Sequence, residues 1–257
     1  MGADVIELRD VSVHYRLPRE RIPTFKEFAI KWLRGGVAYD DLLALAKVDL
    51  SVRRGESLGI IGRNGAGKTT LMKVIARVLR PTEGSVLVTG TVAPLLELGA
   101  GFDMELSGRE NIFLNGAILG RSRRDMQRRF ESIVEFSELG EFIDAPLRAY
   151  STGMVARLGF AVATDVEPDI LLVDELLSVG DIEFQRKCID RIEGILARGA
   201  TLVLVSHSPE SVVQLCRRAI WIDHGRMIAD GPAPEVVDAF VTRGVPPAPS
   251  RSAAGSS

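Results

Sequence analysis

Apolar and polar positions alternate from Val5 to Tyr15, through Ile6, Leu8, Val11, Val13 and Tyr15, which predicts a half-buried strand. The alternation stops between Arg16 and Asp41. There Phe25, Phe28, Ala29, Trp32 and Leu33 recur at helical spacing, after Pro23-Thr24 and before Gly35-Gly36, which predicts an amphipathic helix. Lys26, Lys31 and Arg34 flank that aromatic stripe, so it suits either a membrane surface or packing on the protein's own sheet. A second strand pattern runs from about Leu42 to Val52, Arg53-Arg54-Gly55-Glu56 forms a turn, and Ser57 to Ile61 reads as a buried strand. A glycine-rich loop then leads into a helix from Thr69 to Leu79, stopped before Pro81. Short strands follow at Ser85 to Val88 and Val92 to Leu96. From about Ser107 to Thr164 the period is helical, with breaks at Gly140 and Pro146. Two apolar strands, Ile170 to Val173 and Thr201 to Val205, enclose a helix from about Phe184 to Ala197. A hairpin, Ala219 to Ile222 and Met227 to Ala229, turns at His224-Gly225. Strands alternating with helices predict an α/β fold with a parallel sheet covered on both faces. The last residues, 243–257, have little to bury and are expected to form a disordered tail.

Composition narrows the class. The chain has 257 residues, 46% hydrophobic and 26% charged, enough for a full core in one or two domains. Thirty-two basic and 34 acidic residues give a net charge of −2, against a strongly basic nucleic-acid binder, so no nucleic-acid partner is expected. The two cysteines, Cys188 and Cys216, have no metal-ligand spacing and fit a reducing compartment. No apolar run reaches the ~18 residues of a membrane span. The longest candidate, Met154 to Val166, is broken by Arg157 and Asp165. Contact with a membrane is therefore expected through a partner.

The densest chemistry lies at Gly62-Arg63-Asn64-Gly65-Ala66-Gly67-Lys68-Thr69, followed by Thr70. This is a complete P-loop between a buried strand and a helix. Its glycines let the backbone curl so that N–H groups face a phosphate at a helix N-terminus. Lys68 would reach the β- and γ-phosphates and Thr69 would hold Mg²⁺. Four apolar residues followed by Asp174-Glu175 read as a second motif, with Asp174 beside the metal and Glu175 polarising the attacking water. A helix cap followed by a surface glutamate is the plainer reading. His207, at the end of the strand Thr201 to Val205, would meet the γ-phosphate side, although a lone histidine there can also be structural.

In this order, the motifs resemble the nucleotide-binding subunit of an ABC transporter, over about residues 4 to 240. The family's Leu-Ser-Gly-Gly-Gln signature is matched by Tyr150-Ser151-Thr152-Gly153-Met154 at Ser151 and Gly153, and a serine helix cap is the alternative there. Ser178-Val179-Gly180-Asp181 is similar to the family's D-loop, with Asp181 on its aspartate. Where the family places a glutamine, Glu97 stands as a further metal ligand within Leu95-Leu96-Glu97-Leu98-Gly99-Ala100-Gly101-Phe102. By position Tyr39 takes the aromatic that stacks on adenine, with Tyr15 as runner-up; either could be core packing. The resemblance implies a P-loop NTPase sheet with an antiparallel β subdomain and an α-helical subdomain. One nucleotide-binding domain would occupy 1–242, with the helical part at about 101–165 and an insertion at about 16–38.

The wording of the signature, of the stretch from Val173 to Asp181 and of Leu96 to Phe102 is most similar to ATP-binding subunits of polysaccharide exporters, of O-antigen, teichoic acid or galactan type. An importer ATPase of the same fold is the nearest alternative. The resemblance implies ATP and Mg²⁺ as cofactors and a second copy of the chain as partner. It also implies two copies of a separate membrane permease, a lipid-linked polysaccharide moved by it, and a place on the cytoplasmic face of the membrane. Some O-antigen exporters add a C-terminal sugar-binding domain; a chain ending in a short tail is expected to lack it.

Overall fold

A computed structural model of the protein describes residues 3–18, 39–95, 98–99, 101–165, 168–174, 180–206 and 208–242, the side chains of Leu17, Pro18 and Tyr39 excepted. The helix expected within the insertion and the tail at 243–257 lie outside the described residues.

Strand β1 (Asp4–Pro18) pairs antiparallel with β2 (Tyr39–Arg53) and with β4 (Glu83–Val88), giving a three-stranded sheet in the order β2-β1-β4. The period-two pattern slips in both long strands for one reason. Leu8 and Val11 are both buried although three residues apart, and Asp10 between them takes a positive φ of 51° at a register shift. Leu45 and Val48 repeat this around Lys47, also at φ 51°. Each irregularity lets the next apolar residue return to the core face.

The second sheet has the order β5-β6-β7-β3-β8-β9, comprising β3 (Ser57–Ile61), β5 (Val92–Leu95), β6 (Ile170–Asp174), β7 (Thr201–Val205), β8 (Arg218–Asp223) and β9 (Arg226–Pro232). All neighbours are parallel except the hairpin β8–β9. Its central strands are apolar on both faces because both faces are covered. Ile60, Leu172 and Val203 join the core shared with the small sheet and α1 (Lys68–Ile75). Ile61, Leu171, Leu202 and Leu204 face α5 (Ile182–Ala197), α6 (Pro209–Leu215) and α7 (Ala233–Thr242). A third cluster binds α2 (Gly108–Ile118), α3 (Arg123–Ser137) and α4 (Thr152–Asp165).

Helix α1 ends four residues before the boundary expected from the pattern. Arg77 adopts φ 61° just beyond it, and its guanidinium donates to the Val88 carbonyl, turning the chain back to the small sheet. The helical stretch has a further break at Gly120, at φ 77°, before Ser122 caps α3 through the Asp125 amide. Helices α6 and α7 carry no sequence expectation. They are short, and prolines at 209, 232 and 234 mask their period.

Candidate functional site

Three strand ends converge on the site. β7 lies between β3 and β6, and Val205 is in register with both Ile60 and Asp174. The loop leaving β3 and the acid ending β6 are therefore held at the same edge of the sheet, where open α/β sheets bind ligands.

The loop curls because its glycines occupy positions closed to side chains. A Cβ on Gly62, at φ 154°, would lie 2.2 Å from the Ile222 carbonyl oxygen, and one on Gly67, at φ 109°, 2.5 Å from that of Ala44. Gly65, at φ 77°, faces open space. Lys68 folds back over the loop, its Nζ donating to the carbonyls of Gly62 at 2.7 Å and Arg63 at 3.0 Å. Burial holds the Lys68 ammonium below the usual lysine range, and the Asp174 carboxylate opposes that shift.

A cavity of about 630 Å³ opens above this loop. Asn64, Gly65, Ala66, Gly67, Lys68, Thr69, Thr70 and Asp174 line it, so the structure brings most of the expected phosphate and metal residues together. Its wall is Tyr15, Leu42 and Leu43, with the two leucines 53% and 42% exposed. Tyr15 is in register with Leu42 across β1 and β2, which places an aromatic and an apolar pair beside the loop. Leu42 and Leu43 were not singled out by the sequence; alternation alone does not say which apolar residues meet a ligand.

Thr69 and Asp174 offer oxygen donors to the same cavity, a set that fits a hard divalent cation. Among the described residues no group of three or more His, Cys, Asp or Glu converges.

Glu97, Glu175, His207 and the Tyr39 side chain lie outside what the structure describes. Ser151 and Gly153, at the start of α4, are not among the residues that line this cavity. The Ser151 hydroxyl, exposed, accepts the Met154 amide at 3.2 Å, as a helix cap does. Asp181 caps α5 by accepting the Phe184 amide at 2.9 Å, and its other oxygen meets Arg157 at 2.6 Å. These bonds hold the Asp181 carboxyl below its usual range, the Phe184 amide first among them.

A curled glycine loop feeding a helix, a lysine over it and an acid from a nearby parallel strand define a P-loop NTPase. The ABC transporter family profile matches residues 45–178, so the chain belongs to that family, and its chemistry is the binding and hydrolysis of ATP. It is 51% identical over 198 residues to an O-antigen export system ATP-binding protein of Klebsiella pneumoniae, covering 77% of this chain and 80% of that one. A similarly named protein of Myxococcus xanthus is 46% identical over 91% of this chain, which spans 54% of that protein. A teichoic acids export ATP-binding protein of Lactiplantibacillus plantarum is 40% identical over 91% of this chain and 64% of its own length. The fold matches the ATP-binding subunit of an ABC transporter at TM-score 0.72 and 22% identity, over 94% and 95% of the two chains. It also matches a dimeric ATP-binding cassette bound to ADP and Pi at TM-score 0.70 and 21% identity, over 89% and 98%. Cassettes of the family work as dimers with a membrane permease. No described helix is long and apolar enough to cross a membrane.

Proposed function

We propose that the chain is the ATPase subunit that powers export of a lipid-linked polysaccharide through a separate permease, with two copies of each at the cytoplasmic face of the membrane. The observation that carries this reading is the 51% identity to an O-antigen export ATP-binding protein across 80% of that relative. The relative named for teichoic acids export supports a polymer as the exported substrate.

Loop amides from Asn64 to Thr69 and the α1 N-terminus receive the ATP phosphates, and Lys68 neutralises the β- and γ-phosphate charge. Thr69, Asp174 and Glu97 are the residues that would hold Mg²⁺, which when bound neutralises phosphate charge at the transferring oxygens. Glu175 orients and deprotonates the attacking water, and His207 contacts the γ-phosphate from the end of β7. Ser151 and Gly153, which do not line this chain's own cavity, complete the site of a second copy. The γ-phosphate thereby holds two chains together, and its loss releases them.

Two variants test this reading. Glu175→Gln is expected to bind ATP, to trap an ATP-bound dimer on size exclusion and to lose ~10²–10⁴-fold in turnover. Ser151→Arg is expected to bind ATP as a monomer and to hydrolyse none. Full hydrolysis by Ser151→Arg removes the shared site. A strain lacking the gene that recovers surface polysaccharide with Lys68→Ala as well as with wild type removes the export role.

A further inference from the structure

The charges of α3 are placed against the field of their own helix. Residues 121–129 hold five arginines and one aspartate, while residues 130–138 hold three glutamates and no basic residue. Arg123 and Arg124 directly follow the Ser122 cap, and the last turn carries no basic residue. A helix N-terminus favours acids and a C-terminus favours bases, so this arrangement costs local stability. Arg124 and Arg128 stand four residues apart, on one face of the helix, where like charges repel. The acids at this end are taken by other arginines. Asp125 lies 3.6 Å from both Arg121 and Arg129, and Asp165 of α4 lies 3.2 Å from Arg129. Among the described residues no carboxylate pairs with Arg124 or Arg128, and both are exposed.

The turn that leads into these arginines is held firmly and is partly apolar. Gly116 of α2 packs so closely on α3 that a Cβ there would meet the Met126 side chain at 2.5 Å. The amides of Leu119, Gly120 and Arg121 donate to the carbonyls of Asn115, Ala117 and Gly116 at 2.8–3.0 Å. The Arg123 guanidinium lies 5.7 Å from the centroid of the Phe113 ring, which is stacked on Phe130. On this turn Ile118 and Leu119 are 61% and 37% exposed, directly before the arginines in the chain. Neither core packing nor the helix dipole accounts for two exposed aliphatic side chains followed by unpaired guanidiniums. An anionic bilayer meets both. Guanidiniums pair bidentately with headgroup phosphates, and aliphatic side chains enter the boundary with the hydrocarbon. A nucleic acid would leave the aliphatic pair without a partner.

We infer that the turn between α2 and α3 is a membrane-contact surface, which binds anionic phospholipid headgroups through Arg124 and Arg128 and seats Ile118 and Leu119 beneath them. The inference rests on the reading of the chain as a membrane-side subunit, and not on which polymer is exported. With a net charge of −2, the chain as a whole is not drawn to an anionic surface. The attraction is local to this turn and is screened by salt. None of the four residues lines the cavity at the phosphate loop, so the contact is separate from ATP binding.

The test is co-sedimentation of the purified full chain with vesicles of phosphatidylcholine alone and of phosphatidylcholine mixed with phosphatidylglycerol. Wild type is expected to bind the mixed vesicles and to lose that binding in high salt. Each basic residue at an anionic surface contributes about fivefold, so Arg124→Gln combined with Arg128→Gln is expected to weaken binding about 10- to 30-fold. Ile118→Ser combined with Leu119→Ser is expected to weaken it about tenfold or more. Because the arginines oppose the helix dipole, their removal is expected to leave the thermal midpoint equal or higher, with hydrolysis in solution unchanged. Equal binding of wild type to both kinds of vesicle overturns the inference. So does wild-type binding to mixed vesicles by the double arginine variant; if Lys26→Gln, Lys31→Gln and Arg34→Gln together then abolish binding, the lipid contact belongs to the insertion. A double arginine variant that keeps vesicle binding yet loses polysaccharide export gives the surface to the permease, and overturns the inference as well. Export that persists with Lys68→Ala removes the export role alone, and the vesicle binding of the arginine variants still decides the membrane contact.

Discussion

Gly225, in the turn between β8 and β9, is bonded to the phosphate loop: its amide donates to the Ala66 carbonyl at 2.8 Å. Its own carbonyl accepts the Ala46 amide of β2, also at 2.8 Å. One turn residue thus clips the loop to the small sheet that carries the wall of the cavity. The turn needs positive φ at both His224 (45°) and Gly225 (74°), which suits a tight hairpin.

Gly225→Ala is expected to break this clip. A Cβ there would sit 2.7 Å from the Ala44 carbonyl oxygen, on backbone that side chains rarely adopt. The cost is expected to be about 2–3 kcal/mol in urea unfolding, with weaker ATP binding besides. Gly65→Ala is the control within the loop. Its φ is 77° but no atom lies within 4 Å, so only the backbone term of about 1 kcal/mol applies. Equal unfolding midpoints for the two variants would show that the contact with Ala44 is not what matters.

Lys68 gives a pH prediction for binding. Burial lowers its affinity for the proton and Asp174 partly restores it. The ammonium form is the one that neutralises phosphate, so ATP affinity is lost as pH rises through the lowered folded value, below the ordinary ~10.4 of lysine. Asp174→Asn removes the restoring charge and shifts that loss to lower pH. The comparison is an ATP titration against pH in chelator, so that the metal does not enter. Superimposable profiles would show that Asp174 does not reach the Lys68 charge.

Asp169, at the foot of β6, gives a pH prediction for stability. Its carboxylate accepts the Thr91 amide at 2.8 Å and hydroxyl at 3.0 Å, and pairs with Arg54 at 3.0 Å. These bonds, the Thr91 amide first, hold its pKa below the usual range. A depressed carboxyl contributes its stability above the unfolded value of about 3.9, and loses it as pH falls through the folded value. Allowing for its partial exposure, Asp169→Asn is expected to cost about 1 kcal/mol at neutral pH. The gap from wild type should close in acid; a gap independent of pH would mean the cost is steric.

The contrast between Lys68 and Arg157 shows what a sequence carries. Residues 62–69 are contiguous, and their spacing is itself the geometry of a loop between strand and helix, so that part of the site is legible along the chain. Asp174 is legible for the same reason, as the end of an apolar run. Arg157 looks like an exposed interruption of an apolar helix until α3 and α5 are placed around it. Leu8 and Val11 show the limit for strands, because the positive φ of Asp10 that makes both face inward is set by pairing. The cavity wall is hidden for the same reason: Tyr15 and Leu42 meet only through the register of β1 and β2, across an insertion that separates them in the chain.

That wall carries the last prediction. Tyr15, Leu42 and Leu43 line the cavity beside the phosphate loop, and the leucines keep about half their surface exposed although apolar. An apolar ledge next to an aromatic ring is a place for a flat heterocycle, and base–aromatic stacking contributes about 1–3 kcal/mol per base. Tyr15→Ala is therefore expected to weaken ATP binding about 5- to 100-fold, with turnover at saturating ATP nearly unchanged, because the contact is equal in ground and transition states. Tyr15→Phe and Tyr15→Trp should bind like wild type, since the ring face and not the hydroxyl makes the contact. Stacking tolerates any base, so Tyr15→Ala should weaken GTP by a similar factor. If Tyr15→Ala binds ATP normally and Tyr39→Ala does not, the adenine rests on Tyr39 and the ledge of β1 and β2 is packing alone.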